Sequence, residues 1–350
     1  MNIKRCRLNP IITCRDIVPS HENFEVTGVF NPGAVVYNNE IVLAARVSEK
    51  VKSRDQNIIN VPIANEKENS IDVASIDIRD KRYDFTDPRV IKRQESHSDF
   101  EYLTSMSHIR IAKSSDGVNF KIDENPSIFP GDKYESFGIE DPRITRIDQS
   151  YYITYSAVSK YGIVVKLVKT QDFKSYKSLG NIFSTENKDV VIFPERIKEK
   201  YFALTRPVSK STGKPVIWIS ESQNLAEWGN HRVLASTRDN IWDSCKIGAG
   251  VPPIKTKEGW LELYHGVDEC GKYSMGALLL DLKDPGKVIK RSLLPIMEPC
   301  EEYEKNGFFE NVIFPCGAVE FNEKLYIYYG AGDNSIALAI SSIDDILNSI

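Results

Sequence analysis

The stretch YNNEIVLAAR, residues 37–46, places a polar turn before a run of aliphatic residues, and the chain repeats this arrangement four more times. The other copies are IDQSYYITYS from Ile147, IKEKYFALTR from Ile197, TKEGWLELYH from Thr256 and FNEKLYIYYG from Phe321. Each copy has polar residues at its second and third positions and strand-forming residues at its fifth to ninth. The pattern predicts a strand, a tight turn and a second strand in every copy.

The copies begin at residues 37, 147, 197, 256 and 321, so the intervals between them are 110, 50, 59 and 65 residues. Each of the last three intervals fits one four-stranded unit, and the first also holds an insertion, which we predict at about residues 50–94. Short polar turns such as KSSDGVNF from Lys113 predict the outer hairpins of these units, and SSIDDI from Ser341 is interpreted as a degenerate copy.

Evenly spaced β units of this length are typical of a propeller. The repeats therefore predict an all-β fold, a five-bladed β-propeller formed by one domain over residues 1–350. The alternative is a β-sandwich, whose strands do not usually recur with this internal similarity. The innermost strands of a propeller meet at its central channel, and we expect the active site over that channel.

The composition excludes several classes of protein. The chain has 350 residues, with 45 Lys and Arg against 49 Asp and Glu, which gives a net charge of −4. Hydrophobic residues make up 41% and charged residues 27%, as in ordinary globular proteins and unlike disordered, collagen-like or coiled-coil chains. A slightly acidic chain is a poor candidate for a general nucleic-acid coat, and no stretch is apolar enough for a membrane helix. We therefore expect neither a nucleic acid nor a membrane as partner.

The six cysteines carry no framework spacing and include no C-x-x-C pair. A zinc knuckle or a thioredoxin-type site is therefore not supported, and we expect no metal. The basic residues near the N-terminus have no apolar stretch after them, unlike a secretory signal. These features predict free thiols in a reducing cytoplasm.

Charged residues and prolines precede the predicted turns, where they suit a polar cavity better than a buried sheet. Asp141, in the motif GIEDPR, is the best candidate for a catalytic acid. Arg143 lies two residues on, shares its face of the strand and is expected to lower its pKa. The alternative is a purely structural Asp–Arg pair.

Basic residues from different repeats could converge in the same region. Such cations repel one another unless an anion lies among them, and phosphate or a carboxylate would fit. The alternative is that each pairs with a neighbouring carboxylate, such as Asp189 or Glu195. An inverting glycosidase needs a second carboxylate as base, roughly 6.5–9.5 Å from the acid, whereas phosphorolysis needs a cationic site instead. The predicted cluster comprises Lys188, Arg206, Lys246 and His265.

Several long motifs occur in one order over residues 8–339: NPGA, GIEDPR, NKDVVIFPER, WDSCKIGAG, GWLELYHG, LLLDLKDPGKVIKRS, NVIFPCG and IYYGAGD. Together they resemble glycoside hydrolase family 130. The resemblance implies a five-bladed β-propeller, in agreement with the repeats. It also implies an inverting phosphorylase, a transferase that cleaves β-mannosides with inorganic phosphate and releases α-D-mannose 1-phosphate.

The resemblance also implies roles for individual residues. Asp141 matches the proton donor of the family, which can act through a sugar hydroxyl. The basic cluster matches the phosphate site, and its retention argues for phosphorolysis over hydrolysis. Asn31, Arg46, Asp189 and Asp333 match positions that contact the sugar. The predicted substrate-binding set also includes Ser105, His108, Glu140 and Tyr264.

The resemblance is strongest to the β-1,2-mannobiose and β-1,2-oligomannan phosphorylases, around LTSMSHIRIAKSSDGVNF and YEKNGFFENVIFPCGA. The expected partners are therefore a β-mannooligosaccharide and inorganic phosphate as co-substrate, with no further cofactor. The alternatives are a β-1,4-mannosyl phosphorylase, a β-mannoside hydrolase and a non-catalytic sugar-binding propeller. We also expect a homodimer.

Overall fold

The computed structural model describes residues 3–65, 70–95, 100–208 and 213–350. Nearly all regular structure in these ranges is β, as the repeats predict. One 3₁₀ turn covers Cys14–Asp16, and two short helices are α1 (Glu302–Lys305) and α2 (Ile343–Leu347). No helix in the described ranges has the length and apolar character needed to cross a membrane.

The strands lie along most of the described chain. In chain order they are β1 (Lys4–Arg5), β2 (Phe24–Tyr37), β3 (Glu40–Val51), β4 (Ile58–Asn65), β5 (Ser70–Asp77), β6 (Tyr83–Asp84), β7 (Val90–Arg93), β8 (Tyr102–Leu103), β9 (Met106–Ser114), β10 (Lys121–Ile122), β11 (Ile139–Ile147), β12 (Ser150–Ser159), β13 (Gly162–Thr170), β14 (Lys177–Phe183), β15 (Asn187–Ile192), β16 (Tyr201–Pro207), β17 (Ile217–Ser222), β18 (Trp228–Ala235), β19 (Lys246–Ala249), β20 (Ile254–Lys255), β21 (Trp260–Val267), β22 (Tyr273–Leu280), β23 (Val288–Arg291), β24 (Ile313–Phe321), β25 (Lys324–Ala331) and β26 (Ser335–Ser341).

Five antiparallel sheets contain the five repeats. In strand order they are β10-β9-β3-β2, β11-β12-β13-β14, β15-β16-β17-β18, β19-β21-β22-β23, in which β20 also pairs with β21, and β1-β26-β25-β24. Each repeat lies at the turn between the first and second strands of its sheet. Three of these turns have two successive residues at positive φ, at 38–39, 198–199 and 322–323. This conformation matches the twist of a two-residue hairpin, so the sequence signal identified the turns correctly.

The fifth sheet is completed from the other end of the chain. Its outer strand is β1, which pairs with β26. The Nε of Arg5 donates to the fully buried Glu304 at 2.7 Å, and the hydroxyl of Tyr329 donates to the same carboxylate oxygen at 2.7 Å. The prediction of an outer hairpin at SSIDDI was wrong, because helix α2 forms there, capped by the hydroxyl of Ser342.

A segment between β3 and β9 lies outside the five sheets. It forms the hairpin β4-β5 and the small sheet β6-β7-β8, around a core that includes Val61 and Ile91. The insertion predicted at residues 50–94 falls in this segment, but the segment extends to β8 (Tyr102–Leu103). Residues 66–69 of the predicted insertion lie outside the described residues.

A buried hydrophobic cluster fills the space between each pair of consecutive sheets. The cluster between the first and second sheets includes Val42 and Ile153. The cluster between the fifth sheet and the first includes Leu43 and Leu338. First strands also meet, since β2 contacts both β24 and β11, and β15 contacts both β11 and β19. Side chains on the first strands are therefore brought together.

Candidate functional site

Three first strands carry the same backbone irregularity. The pairing register shifts after Phe30, after Glu140 and after Lys188, and the next residue has a positive φ in each case. These residues are Asn31, Asp141 and Asp189, with φ of 49°, 50° and 52°. Left-handed backbone costs a non-glycine residue roughly 1 kcal/mol, and Asn and Asp tolerate it best. The bulges turn three short polar side chains into one cavity.

That cavity has a volume of about 610 Å³. Most of the residues predicted from the sequence line it, and they come from different sheets. They are Asn31, Arg46, Ser105, Glu140, Asp141, Lys188, Asp189, Arg206, Lys246 and Asp333.

Asp141 is held by donors from the first sheet. Its Oδ1 accepts a hydrogen bond from the Nδ2 of Asn31 at 2.8 Å and another from the Nη1 of Arg46 at 3.0 Å. Burial favours the neutral carboxyl, but Arg46, Arg143 and Lys188 together lower the pKa of Asp141 to about 2. Asp141 is therefore ionised at neutral pH before any substrate binds.

Arg143 does not pair with the carboxylate of Asp141. Its Nε donates to the backbone oxygen of Gly250 at 2.7 Å, and its Nη1 donates to the backbone oxygen of Asp141. Its Nη2 lies 3.5 Å from the Oδ1 of Asp189. Arg143 thus connects the bulge at Asp141 to strand β15 and to the residue that follows β19, and the cation paired with the Asp141 carboxylate is Arg46 instead.

Two of the predicted cations have carboxylate partners. The Nε of Arg206 lies 2.7 Å from the Oδ2 of Asp189, and the Nζ of Lys188 lies 3.3 Å from Glu140. Glu140 also accepts a hydrogen bond from Arg46 at 2.8 Å. The alternative in which the cations pair with carboxylates is therefore realised for Arg206 and Lys188, but both side chains still line the cavity.

Lys246 is the exception within the described chain, since no carboxylate there lies within ion-pair distance of it. Its Nζ lies 4.6 Å from the centroid of the Tyr273 ring. Burial and the nearby charge of Arg206 lower the pKa of Lys246 to about 8. This lysine is mostly charged at neutral pH and has no carboxylate partner among the described residues.

The structure does not bring His265 to the cavity wall. Its side chain is fully buried, 3.5 Å from the Oδ2 of Asp189 and stacked on Phe314 with a centroid distance of 4.4 Å. Burial lowers the pKa of His265 to about 3, so the ring is neutral. His265 therefore lies next to Asp189 but outside the residues that line the cavity, and its predicted contact with phosphate stays a prediction.

Two further predicted contact residues lie away from the cavity. The Nε2 of His108 accepts a hydrogen bond from the Nε of Arg110 at 3.0 Å, inside the first sheet. The hydroxyl of Tyr264 donates to the buried Asp243 at 2.9 Å. Each side chain takes part in a buried polar network, which is the ordinary role of a buried His or Tyr, and its predicted contact with the sugar stays a prediction.

Asp333 lies on the cavity wall contributed by the fifth sheet. Burial raises the pKa of Asp333 to about 6, and the negative charges of Asp141 and Glu140 add to this effect, although Arg46 opposes it. Asp141 and Asp333 therefore have pKa values moved in opposite directions within one cavity. Such pairs are typical of sites where carboxyls take different roles.

The sequence analysis missed most of the apolar wall. Phe30, Phe100, Tyr273, Phe308, Phe309 and Phe314 line the cavity. Arg89 from the insertion lies 4.7 Å from the ring centroid of Phe309, so the insertion and the loop before β24 meet beside the cavity. The adjacent pair Phe308-Phe309 in an otherwise polar loop was the available signal.

Comparisons with known proteins show the family of this chain. The glycoside hydrolase family 130 model, described as beta-1,4-mannooligosaccharide phosphorylase, matches residues 98–350. The beta-1,2-mannobiose phosphorylase of Listeria innocua is 48% identical over 350 residues, which are 100% of this chain and 99% of that protein. The 1,2-beta-oligomannan phosphorylase of a Thermoanaerobacter species is 37% identical over 249 residues, which are 70% of this chain and 82% of that protein.

A solved structure shows the same similarity in three dimensions. The structure of the Listeria innocua protein in complex with beta-1,2-mannobiose matches this chain with a TM-score of 0.96 at 48% identity. The match covers 100% of this chain and 99% of that one.

Proposed function

This chain belongs to glycoside hydrolase family 130, and from that premise we propose that it is an inverting phosphorylase of β-1,2-mannobiose. It transfers a mannosyl group from the disaccharide to inorganic phosphate. The products are α-D-mannose 1-phosphate and mannose, and the reaction is reversible.

One observation carries the proposal: a single cavity contains a carboxylate for the leaving group and cations for the nucleophile. Asp141 lines the same cavity as Lys188, Arg206 and Lys246. Its volume of about 610 Å³ lies within the range of small-molecule sites. Charge-assisted hydrogen bonds from these cations to phosphate oxygens would satisfy Lys246, which has no carboxylate partner in the described chain.

The reaction proceeds in a single displacement. An oxygen of the bound phosphate attacks C1 of the mannosyl unit while the bond from C1 to the bridging oxygen breaks, so the β configuration becomes α. Asp141 supplies the proton that the departing oxygen takes up, directly or through a sugar hydroxyl. The phosphate began with one proton and ends as a dianionic ester, so its proton restores Asp141. The cations orient the nucleophile before it reacts, which is an electrostatic contribution to the rate.

The low pKa of Asp141 makes its protonation depend on the substrates. Lys188 is one of the charges that keep this carboxylate ionised. Phosphate bound to Lys188 offsets that charge, and a sugar covering the carboxylate removes water from it. Both effects raise the pKa of Asp141, so the acid is ready only when the substrates are bound.

Hydrolysis on the same fold is the main alternative, and three of the carboxylates near the cavity argue against it because they are paired. A hydrolase needs a free carboxylate to activate water. Glu140 is paired with Arg46 and Lys188, and Asp189 is paired with Arg206. Glu195 pairs with Lys255 at 2.6 Å and does not line the cavity. Asp333 also lines the cavity and has no ion pair among the described residues, so the cations Lys188, Arg206 and Lys246 in the same cavity are what favour phosphate over water as nucleophile.

The linkage is assigned from the relatives. The protein from Listeria innocua named for β-1,2-mannobiose is 48% identical along the whole chain. The family model named for β-1,4-mannooligosaccharides matches only residues 98–350. We therefore assign β-1,2-mannobiose, with β-1,4-mannobiose as the substrate to test against it.

The wider organisation is also proposed. We interpret the five sheets as the blades of a β-propeller, because a hydrophobic cluster joins the fifth sheet to the first. The single domain, the homodimer and the cytoplasmic location stay predictions from the sequence. The proposed chemistry uses the side chains of the chain and its two substrates, with no further cofactor.

Two substitutions test the assignment of roles. Asp141→Asn is expected to lose activity on β-1,2-mannobiose in the presence of phosphate while its circular dichroism stays unchanged. Arg206→Ala is expected to raise the KM for phosphate by more than about tenfold, with a smaller effect on the KM for the disaccharide. Substantial turnover by the first variant, or an unchanged phosphate KM in the second, would remove that residue from its role.

A further inference from the structure

Gly330 touches the residue that holds Asp141. It lies in β25 of the fifth sheet, opposite Phe314. A Cβ added to Gly330 would lie 2.0 Å from the Oδ1 of Asn31 and 3.0 Å from its backbone nitrogen. The first distance is far shorter than any van der Waals contact, so no side chain fits at residue 330 while Asn31 keeps its position.

The amide of Asn31 is fixed in one orientation. An ionised carboxylate only accepts hydrogen bonds, so the Nδ2 of Asn31 must face Asp141, as the 2.8 Å contact shows. The Oδ1 of Asn31 then points at Gly330, is buried and has no hydrogen-bond partner in the described chain. The absence of a side chain at residue 330 is what leaves room for this oxygen.

The two carboxylate oxygens of Asp141 therefore have different hydrogen-bond partners. Its Oδ1 receives the hydrogen bonds from Asn31 and Arg46. No donor among the described residues reaches its Oδ2. A proton on this carboxyl is therefore expected on Oδ2, because Oδ1 is already occupied by two donors.

We propose that Gly330 and Asn31 act together as positioning residues, which fix the carboxyl of Asp141 so that Oδ2 exchanges the proton with the substrate. The inference rests on the proposed function, in which Asp141 is the acid. Asn31 has a second role beyond its predicted contact with the sugar, and Gly330 acts without touching the substrate.

The test is a double-mutant cycle on the full chain with β-1,2-mannobiose and phosphate as substrates. Gly330→Ala and Asn31→Ala are each expected to lower kcat by more than about tenfold, with the phosphate KM within about threefold of the wild-type value. The kcat of the double variant is expected to lie within about threefold of the kcat of the slower single variant, because both substitutions disrupt the same contact between Asn31 and Asp141. Multiplied effects, or a kcat for Gly330→Ala within about twofold of wild type, would overturn the proposal.

Gly229→Ala is the matched control. This glycine also lies in a strand, has no positive φ, and an added Cβ would meet nothing within 4 Å. Its kcat is expected to equal that of the wild type. A comparable loss in this control would show that the effect of Gly330→Ala is a general cost of Gly→Ala in a strand, and would overturn the proposal.

The pH profile of Asn31→Ala separates positioning from a structural role and does not depend on folding of the Gly330 variant. Removing the hydrogen bond from Asn31 raises the pKa of Asp141, so the alkaline limb of kcat is expected to move to higher pH. An unmoved limb in a folded, slower variant would overturn the proposal. An inactive wild-type protein would instead overturn the proposed function, so the two failures are distinguishable.

Discussion

Replacing Asp333 with Asn is expected to stabilise the folded protein at neutral pH while lowering its activity. The pKa of Asp333 is raised from 3.8 to about 6, chiefly by burial. Each pKa unit corresponds to about 1.4 kcal/mol, so ionised Asp333 costs the folded protein at most about 3 kcal/mol at neutral pH. Because the pKa of Asp333 is higher in the folded protein, the carboxyl does not lower the free energy of unfolding below pH 3.8. The free energy of unfolding then falls as the pH rises through 6.

Asp141 is the comparison residue, because its pKa is shifted in the opposite direction. Its pKa is lowered from 3.8 to about 2, although burial alone would raise it. The ionised carboxylate therefore adds about 2.5 kcal/mol to the free energy of unfolding at neutral pH, and this is lost as the pH falls from 3.8 towards 2. Asp141→Asn is expected to be less stable than the wild type at neutral pH, although it has the same shape.

Urea unfolding measured in phosphate-free buffer at about pH 4 and about pH 7.5 checks both signs. Asp333→Asn should match the wild type at the lower pH and exceed it by up to about 3 kcal/mol at the higher pH. Asp141→Asn should fall below the wild type at the higher pH. A destabilised Asp333→Asn at about pH 7.5, or a gain that does not change with pH, would refute this account of the cavity.

Three other predictions concern the phosphate site, the closure of the fifth sheet and the assembly. Burial lowers the pKa of Lys246 to about 8, so the phosphate KM of the wild type is expected to rise above that pH. Lys246→Arg should remove this rise, because arginine stays charged. A rise that persists in the variant would exclude Lys246 as its source. Glu304→Gln weakens the buried contact with Arg5 and should lower the free energy of unfolding, measured in urea, by about 3 kcal/mol. Glu195→Gln alters an exposed ion pair and should change this free energy by less than about 1 kcal/mol. Equal losses in the two variants would contradict the assigned difference in burial. Light scattering should give the mass of a dimer, and a monomer at micromolar concentration would contradict the sequence-based expectation.

Local patterns in the sequence predicted most of the strands. The repeated turns identified the first two strands of each sheet, because a polar pair between alternating runs has few other conformations. The outer strand of the fifth sheet could not be found in this way. β1 has only two residues, and its pairing with β26 joins distant parts of the chain.

The candidate site was predicted where residue type and chemistry coincide. Asp141, Lys188 and Lys246 were predicted because prolines, acids and bases at strand starts are unusual, and all three line the cavity. The contacts predicted for His265 and Tyr264 stay predictions; both side chains are buried outside the cavity lining, and the sequence does not show which strand residues are covered by other side chains. The role of Gly330 depends on a 2.0 Å approach between different sheets, which no sequence pattern reveals.

The measurement that tests the central claim most directly is anomeric NMR of the purified protein with β-1,2-mannobiose, with and without inorganic phosphate. The account predicts that α-mannose 1-phosphate is the first phosphorylated product and that nothing is released when phosphate is omitted. Free mannose formed at the same rate without phosphate would contradict it and would establish a hydrolase in this cavity.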